Sequence, residues 1–544
     1  MSRVPARSDS AVKRLTLLAC IMGSGIVLLD GSVVNVALPT IQRALGGGLA
    51  AQQWIVNGYL LTLGSLILVG GSLGDLYGER RVFALGVSGF GVASLACAVA
   101  PSIGTLVAAR ALQGVAGALL VPSSLAVIVN VFPESERGPA IGSWTAWGAI
   151  AAVLGPLAGG ELLAVASWRW IFLVNLPLAA ACVALILTVM PKQQPAAHEL
   201  DVQRRRVDVS GAALCALGLG GPVFALIEQP RLGWSSPAVY GPMLAGVVLL
   251  MSFTALESRI EDPMLPLGLF RRRNFSAGNI ETFAMYAGLA VLFFFLVLFL
   301  QQIGGYTPLQ SGLATLPATV VMFLLSRRFG ALADRFGPRA FMGGGPLVSA
   351  VGLVLFQRVG VHVDYVGAVL PALLVFSLGL AMTVAPLTAA VLAGSEHQAG
   401  IASGVNNAIA RVAGLLGTAA VGAAVAASFA GTLEARLTGT ALGLSARSAV
   451  AAAKRLPLGR PDVRGLPSGQ AHAITRAAEV ASLHSFHLGL AVAAALVAAG
   501  GMVGAIGIRN PRGTAPVPAA DCAAGQLVGT GRELTERVAP PQVA

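Results

Sequence analysis

Asp30 and Arg110 lie inside long apolar stretches of the chain, where a charge is expensive unless it has a function or a partner. Asp30 precedes Pro39, at the end of its stretch, by nine residues, and Arg110 lies about five residues into its own. At 1.5 Å per helical residue, both side chains lie roughly 8 to 13 Å below the same surface and can meet. A carboxyl group there binds or releases a proton according to its distance from the arginine, so the pair is a candidate proton-coupling site. The alternative is a structural ion pair between two helices.

Two further ionisable side chains lie in apolar stretches of the second half of the chain. Glu281 is a third candidate for proton coupling, unless its side chain reaches to the membrane surface. Arg411 lies too deep to do so easily, and either contributes to a substrate site or belongs to a buried ion pair. Both side chains are expected to face a central cavity. The expected cavity residues, for which ordinary packing is the alternative, are Asn35, Gln113, Trp144, Trp147, Asn406 and Arg411.

The composition predicts a membrane protein. Hydrophobic residues make up 56% of the 544 positions, and the mean hydropathy is +0.78, far above what a soluble core requires. The net charge of +12 first suggests a nucleic-acid partner. The basic residues lie mostly between apolar runs, however, so we expect the lipid bilayer as the environment and no nucleic acid.

The cysteines and lysines narrow the possible chemistry. The five cysteines have neither paired nor metal-ligand spacing, so we expect no disulfide, no metal and no cofactor. The only lysines are Lys13, Lys192 and Lys454, and none follows a glycine, which excludes a Gly-x-x-x-x-Gly-Lys phosphate loop. ATP therefore does not drive this chain on its own, and an ion gradient is the remaining energy source.

The apolar runs predict an all-α membrane protein with fourteen transmembrane helices, since a span needs about 20 apolar residues. The excess of Lys and Arg in alternate short loops places the N-terminus in the cytoplasm. The predicted spans are 14–38, 52–73, 81–101, 105–130, 138–164, 169–190, 209–228, 237–256, 275–303, 309–329, 340–358, 365–393, 400–428 and 484–508.

A loop motif occurs twice, because "GSLGDLYGER" from residue 71 aligns with "GALADRFGPR" from residue 330. Glycines farther along the chain recur at a similar displacement. We therefore expect two six-helix halves with an inserted helix pair, an architecture in which the substrate binds at mid-membrane between the halves. The predicted regions are a cytoplasmic N-terminus (1–13), an N-terminal half (14–190), a linker with the inserted pair (191–274), a C-terminal half (275–508) with a long extracellular loop (429–483), and a disordered cytoplasmic tail (509–544).

These motifs resemble the major facilitator superfamily, and within it the fourteen-helix drug:proton antiporters. Beside the repeated loop, the fourth span carries "RALQGVAGA", and the fifth carries "GAIAAVLGPLAGG", which looks like the motif typical of exporters. "LDGSVVNVALP" in the first span and "WRWIFLVNLP" at the start of the sixth also resemble this branch. In the first of these, Gly31-Ser32 departs from the Asp-x-Thr that the branch more often has there. The expected antiporter-motif residues are Gly148, Gly155, Pro156, Gly159 and Gly160, and the expected gating-loop residues are Gly71, Asp75, Gly78, Arg80, Arg81, Gly330, Asp334, Gly337 and Arg339.

The resemblance implies a transporter rather than an enzyme. It implies a major facilitator fold, alternating access, and a contact of Asp75 with the start of the helix near Gly400. The expected function is proton-coupled efflux of hydrophobic or cationic drugs, antibiotics or secondary metabolites by a monomer in the plasma membrane. One alternative is an ion-coupled importer of a nutrient or metabolite, which the fifth-span motif disfavours. A more remote alternative is a membrane-embedded enzyme or energy-converting subunit.

Overall fold

The computed structural model describes residues 9–190, 208–260, 263–392 and 399–510, and within these ranges the chain is helical with irregular connections and no strand. Residues 191–207 of the predicted linker and all but the first two residues of the predicted cytoplasmic tail lie outside the described residues. Three short 3₁₀ or π segments occupy Leu267–Arg271, Phe356–Arg358 and Tyr365–Val369. The α-helices are α1 (Asp9–Leu45), α2 (Leu49–Tyr77), α3 (Glu79–Ala98), α4 (Ile103–Val131), α5 (Glu134–Val165), α6 (Trp170–Leu173), α7 (Asn175–Thr188), α8 (Val209–Leu232), α9 (Pro237–Glu257), α10 (Arg273–Gln302), α11 (Pro308–Phe336), α12 (Pro338–Leu355), α13 (Leu370–Leu392), α14 (Ala399–Leu437), α15 (Leu444–Ala453) and α16 (Ser468–Gly507).

The predicted all-helical membrane fold is confirmed. In the described ranges, 13 helical segments are long and apolar enough to span a bilayer, with α6 and α7 forming one of them. The 32-residue α5 is long enough to be a fourteenth. Below, "inner" and "outer" follow the orientation that the loop charges predict.

The predicted outer loop 429–483 is largely helical, which the hydropathy of the chain does not reveal. Helix α14 continues to Leu437 and α16 begins at Ser468. Phe429, Leu433 and Leu437 recur at helical spacing and pack against α16 around Ile474. The two helices therefore extend beyond the predicted spans because they bury an apolar core of their own at the outer surface.

The repeated loops form equivalent turns at the inner ends of the two halves. Gly78 separates α2 from α3 and Gly337 separates α11 from α12, with φ of 88° and 86°, a left-handed conformation that favours glycine. The Arg80 side chain donates hydrogen bonds to the carbonyl oxygens of Ile186 (3.2 Å) and Leu187 (3.0 Å) in α7. A guanidinium at a helix C-terminus satisfies the last carbonyls and complements the helix dipole.

Arg339 makes the equivalent contact in the other half. Its Nε donates to the carbonyl oxygen of Ala505 in α16, at 2.6 Å. Each repeated arginine thus anchors the final helix of its own half, so these two guanidinium groups make contacts within the halves rather than between them.

The two halves meet at their outer ends. Val33, Val34 and Ala37 of α1 share one buried apolar cluster with Phe295 and Phe299 of α10. Beside this cluster, the side-chain amide of Gln301 donates to the carbonyl oxygen of Val36, at 2.9 Å. Helix α1 therefore contributes directly to the outer contact between the halves.

The inserted pair, α8 and α9, covers one side of the interface between the halves. Val223 and Ile227 of α8 form an apolar cluster with Leu415 and Ala419 of α14. Trp54 of α2 donates from Nε1 to Glu228 of α8, at 3.1 Å. Helix α8 therefore packs against both α2 and α14, which belong to different halves.

Candidate transport site

Asp30 and Arg110 form a buried ion pair inside the N-terminal half. Their side chains are 0% and 1% exposed. The Asp30 carboxylate accepts hydrogen bonds from Arg110 Nη1, from Gln113 Nε2 (2.9 Å) and from Asn175 Nδ2 (3.1 Å). Because three side chains donate to it, this carboxylate is fully engaged within its own half.

The arginine is held as firmly as the acid. Arg110 Nη1 also donates to Gln113 Oε1 (2.6 Å), and Nε donates to the carbonyl oxygen of Ile55 (3.2 Å). The ring of Tyr59 lies beside the guanidinium, with its centroid 4.3 Å from Cζ, in cation–π contact. The guanidinium thus joins α1, α2 and α4, and Asn175 attaches α7 to the site through the Asp30 carboxylate.

Local sequence explains this assembly. Gln113 follows Arg110 by three residues on α4, which places both side chains on one helix face. Gly114 leaves no room for a side chain against Tyr59 and Leu63, where an added Cβ would lie 3.1 Å from the Leu63 nitrogen. This glycine therefore lets α4 approach α2 closely enough for Arg110 to reach Ile55.

Two members of the network were absent from the predicted site. Ser94 of α3 accepts hydrogen bonds from Gln113 Nε2 (2.8 Å) and from Asn175 Nδ2 (3.3 Å). Both Ser94 and Asn175 are 0% exposed. Each is a polar residue within an apolar stretch, and this was the signal that could have identified it. Asn175 is the asparagine of the motif "WRWIFLVNLP".

The sequence predicted that Glu281 faces a central cavity between the halves, but in the structure its side chain points elsewhere. It is fully buried, and within the described chain neither carboxylate oxygen has a hydrogen-bond partner. A Cβ added at Gly504 of α16 would lie 2.5 Å from Glu281 Oε2, so the carboxyl group points at that helix. Its proton-coupling role stays a prediction.

Arg411 lies where α14 crosses the middle of α2. An added Cβ on Gly64 would be 3.2 Å from Arg411 Cβ. The side chain is partly exposed, and close enough to the phenol groups of Tyr59 and Tyr286 to act on them electrostatically. Within the described ranges, no hydrogen bond or ion pair involves Arg411.

The other expected cavity residues have mixed surroundings. Asn406 donates from Nδ2 to Asn279 Oδ1 (3.1 Å) and to Thr282 Oγ1 (2.7 Å), which fixes α14 against α10. Trp144 donates to Ser24 Oγ, at 2.9 Å. Trp147 is 53% exposed, and the Asn35 side-chain oxygen is buried without a hydrogen-bond partner in the described residues.

The glycines of the antiporter motif on α5 serve two different contacts. Gly148, Gly155 and Gly159 face α1, where added Cβ atoms would meet Leu28, Ser32 and Val33. Gly160 and Pro156 face the other half instead. A Cβ on Gly160 would lie 2.5 Å from Leu309 Cα, and one on Gly312 would lie 2.6 Å from the Pro156 carbonyl oxygen.

The gating loops pack on the helices of their own halves. The nearest neighbour of a Cβ on Gly71 is Pro122 of α4, at 3.8 Å, and for Gly330 it is Ala385 of α13, at 3.4 Å. Asp75, Arg81 and Asp334 are exposed. The expected contact of Asp75 near Gly400 stays a prediction, since residues 393–398 lie outside the described ranges.

The many long apolar helices, the repeated halves and the buried charges define a multi-pass membrane transporter. The family model of the Major Facilitator Superfamily matches residues 20–418. The chain belongs to this superfamily.

Its relatives include antibiotic and multidrug resistance proteins. The chain is 37% identical to the puromycin resistance protein pur8 of Streptomyces alboniger, over 72% of this chain and 78% of the relative. It is 35% identical to the multidrug resistance protein Stp of Mycobacterium tuberculosis, over 78% of each chain. It is 34% identical to the tetracenomycin C resistance and export protein of Streptomyces glaucescens, over 76% of each.

Solved structures with the same fold include a bacterial homologue of the human lysosomal transporter Spinster. The TM-score is 0.60 at 14% identity, covering 92% of this chain and 99% of that one. At this identity the likeness establishes the fold alone.

Proposed function

We propose that the protein exports small hydrophobic drugs or secondary metabolites across the cytoplasmic membrane in exchange for protons, by alternating access of its two halves. The relatives named for resistance and export support the direction of transport. The observation that carries the proposal is the Asp30–Arg110 pair, because Asp30 belongs to the helix that closes the outer contact. A proton bound to this buried carboxylate would remove the negative charge that pairs with Arg110.

The coupling follows from the position of Asp30 along α1. Val36, which accepts the hydrogen bond from Gln301 of the other half, lies six residues beyond Asp30, about 9 Å along the helix. A proton on the carboxyl group removes the charge that binds Arg110, so the contact between α1 and α4 weakens. A shift of α1 at Asp30 then reaches the outer contact directly, and proton entry from outside favours the state that releases the drug outward.

Replacing Asp30 with Asn tests the coupling. The amide keeps the size of the carboxyl group but binds no proton, so D30N should lower resistance to the level of the empty vector. The measurement is the minimum inhibitory concentration of tetracenomycin C and a panel of anionic and cationic antibiotics in a pump-deficient host. Drug uptake into everted vesicles under an imposed pH gradient gives the same comparison without growth, and its direction tests export against import.

Two further variants separate loss of coupling from loss of protein. Glu161 is an exposed acid at the outer end of α5, so E161Q should behave as wild type. Because D30N leaves Arg110 as a buried charge without its partner, at a cost of about 3–5 kcal/mol, the double variant D30N/R110Q restores neutrality and should be well folded yet inactive. Full gradient-driven efflux by a well-folded D30N protein refutes the proposed proton site.

A further inference from the structure

Arg411 is a deeply placed cation whose charge the described chain leaves uncompensated. The two arginines contact α2 at different depths. Arg110 contacts it at the Ile55 carbonyl oxygen, and Arg411 lies against it at Gly64. Nine residues of helix separate these levels, which is about 14 Å. Since Gly64 is near the middle of α2 (Leu49–Tyr77), Arg411 lies near the middle of the membrane, well inward of the Asp30 site.

Neither deep acid is placed to neutralise it. The Asp30 carboxylate is already bound by Arg110, Gln113 and Asn175. Glu281 is turned towards Gly504 of α16. An unpaired charge at this depth is costly and is typical of a ligand or ion pathway.

The surroundings of Arg411 suit a ligand better than a structural ion pair. Arg411, Asn407 and Tyr286 are all partly exposed. Arg411 and Asn407 belong to α14, which packs on α2 of the other half at Gly64, and Tyr286 belongs to α10. Tyr286 lies within electrostatic range of the guanidinium, and the Asn407 amide donates only to its own helix, at the Ser403 carbonyl oxygen. Hydrogen-bond donors and an aromatic ring are thus available beside one free positive charge.

We propose that the exported compounds carry a negative charge, as a carboxylate or an ionised phenol, and that Arg411 binds this group between the halves. This inference rests on the proposed export function and defines its substrate class. A guanidinium presents a planar set of donors that matches a carboxylate, and its hydrogen bonds to an anion are about twice as strong as neutral ones. The cationic cargo expected from the sequence is disfavoured, because the Asp30 carboxylate already has a buried cationic partner in Arg110.

Two dyes with the same ring system and opposite charge test the inference. Fluorescein is anionic at pH 7.5, whereas rhodamine 6G carries the same xanthene core as a permanent cation. Binding to the full-length protein in lipid nanodiscs is measured by fluorescence anisotropy, with no pH gradient. Wild type should bind fluorescein more tightly than rhodamine 6G, and R411Q should weaken fluorescein binding by about ten- to hundredfold, with rhodamine binding unchanged or stronger.

The control is R436Q, the same change on an exposed arginine of the same helix, which should bind both dyes as wild type does. R411K keeps the charge but loses the planar set of donors, so it should lie between wild type and R411Q, and it serves if R411Q folds poorly. Tighter binding of rhodamine by wild type, an unchanged fluorescein affinity in the Arg411 variants, or no binding of either dye overturns the inference. Because binding is measured at equilibrium, a fluorescein preference that persists in D30N supports it even if proton-driven efflux fails.

Discussion

Replacing Gly160 with alanine should open the outer contact between the halves. The added methyl group would lie 2.5 Å from Leu309 Cα and 2.8 Å from the Leu309 nitrogen. These distances are about 1 Å short of an ordinary contact. Since both atoms are backbone, they cannot rotate away, and α11 must separate from α5.

The size of the effect follows from the cost of overpacking. One methyl group forced into a close contact costs about 1–3 kcal/mol. Only the arrangement in which α5 touches α11 carries this cost, so the population of the outer-closed state should fall about five- to 150-fold relative to the outer-open state.

Gly86 of α3 supplies a matched control, because an added Cβ there would lie 2.9 Å from the Leu120 nitrogen of α4, a backbone atom of the same half. G86A should lower stability without changing the balance between the states. The assay is double electron–electron resonance, which measures the distance between spin labels at positions 165 and 313, in a background without the five native cysteines. Val165 and Leu313 are 72% and 46% exposed at the outer ends of α5 and α11. A G160A distance distribution identical to wild type, or an equal shift in G86A, contradicts the reasoning.

Further substitutions address the buried acid and the repeated loops. E281Q should keep the thermal midpoint of the protein, since neither carboxylate oxygen has a partner in the described chain, whereas E281K should fail to fold. If Glu281 carries a transported proton, E281Q also lowers the number of protons exchanged per drug in vesicles, and an unchanged stoichiometry excludes that role. R80A and R339A should each lose about 1–2 kcal/mol of stability, because each substitution removes a charged hydrogen-bond donor from the carbonyl groups at the C-terminus of a helix. R81A, which removes an exposed arginine, is the control in thermal melts, and equal loss in all three variants contradicts the helix-end account.

The membrane spans were predictable because hydropathy reports the length of chain that crosses a bilayer. The outer extensions of α14 and α16 were missed for the same reason, since they are amphipathic rather than continuously apolar. Phe429, Leu433 and Leu437 already mark one helical face in the sequence. A search for a period of 3.6 residues beyond the apolar run would have found it.

Depth along a helix was more predictable than direction around it. Counting residues from Pro39 brought Asp30 to the level of Arg110, and the two form an ion pair. The orientation of Glu281 depends on which neighbour its face meets, and that is set by tertiary packing. Ala277, Ala284 and Gly288 share its face and all pack on α16, so a stripe of small residues around Glu281 was the available signal.

The position of α8 makes the two sides of the molecule different for a compound dissolved in the lipid. On one side, α8 lies across the line where α2 meets α14. On the other, α5 meets α11 at Gly160 and Leu309. A compound that diffuses within the bilayer therefore meets two different flanks of an otherwise two-fold repeated transporter, one covered by the inserted pair and one where, in the described ranges, α5 and α11 contact each other without a covering helix pair.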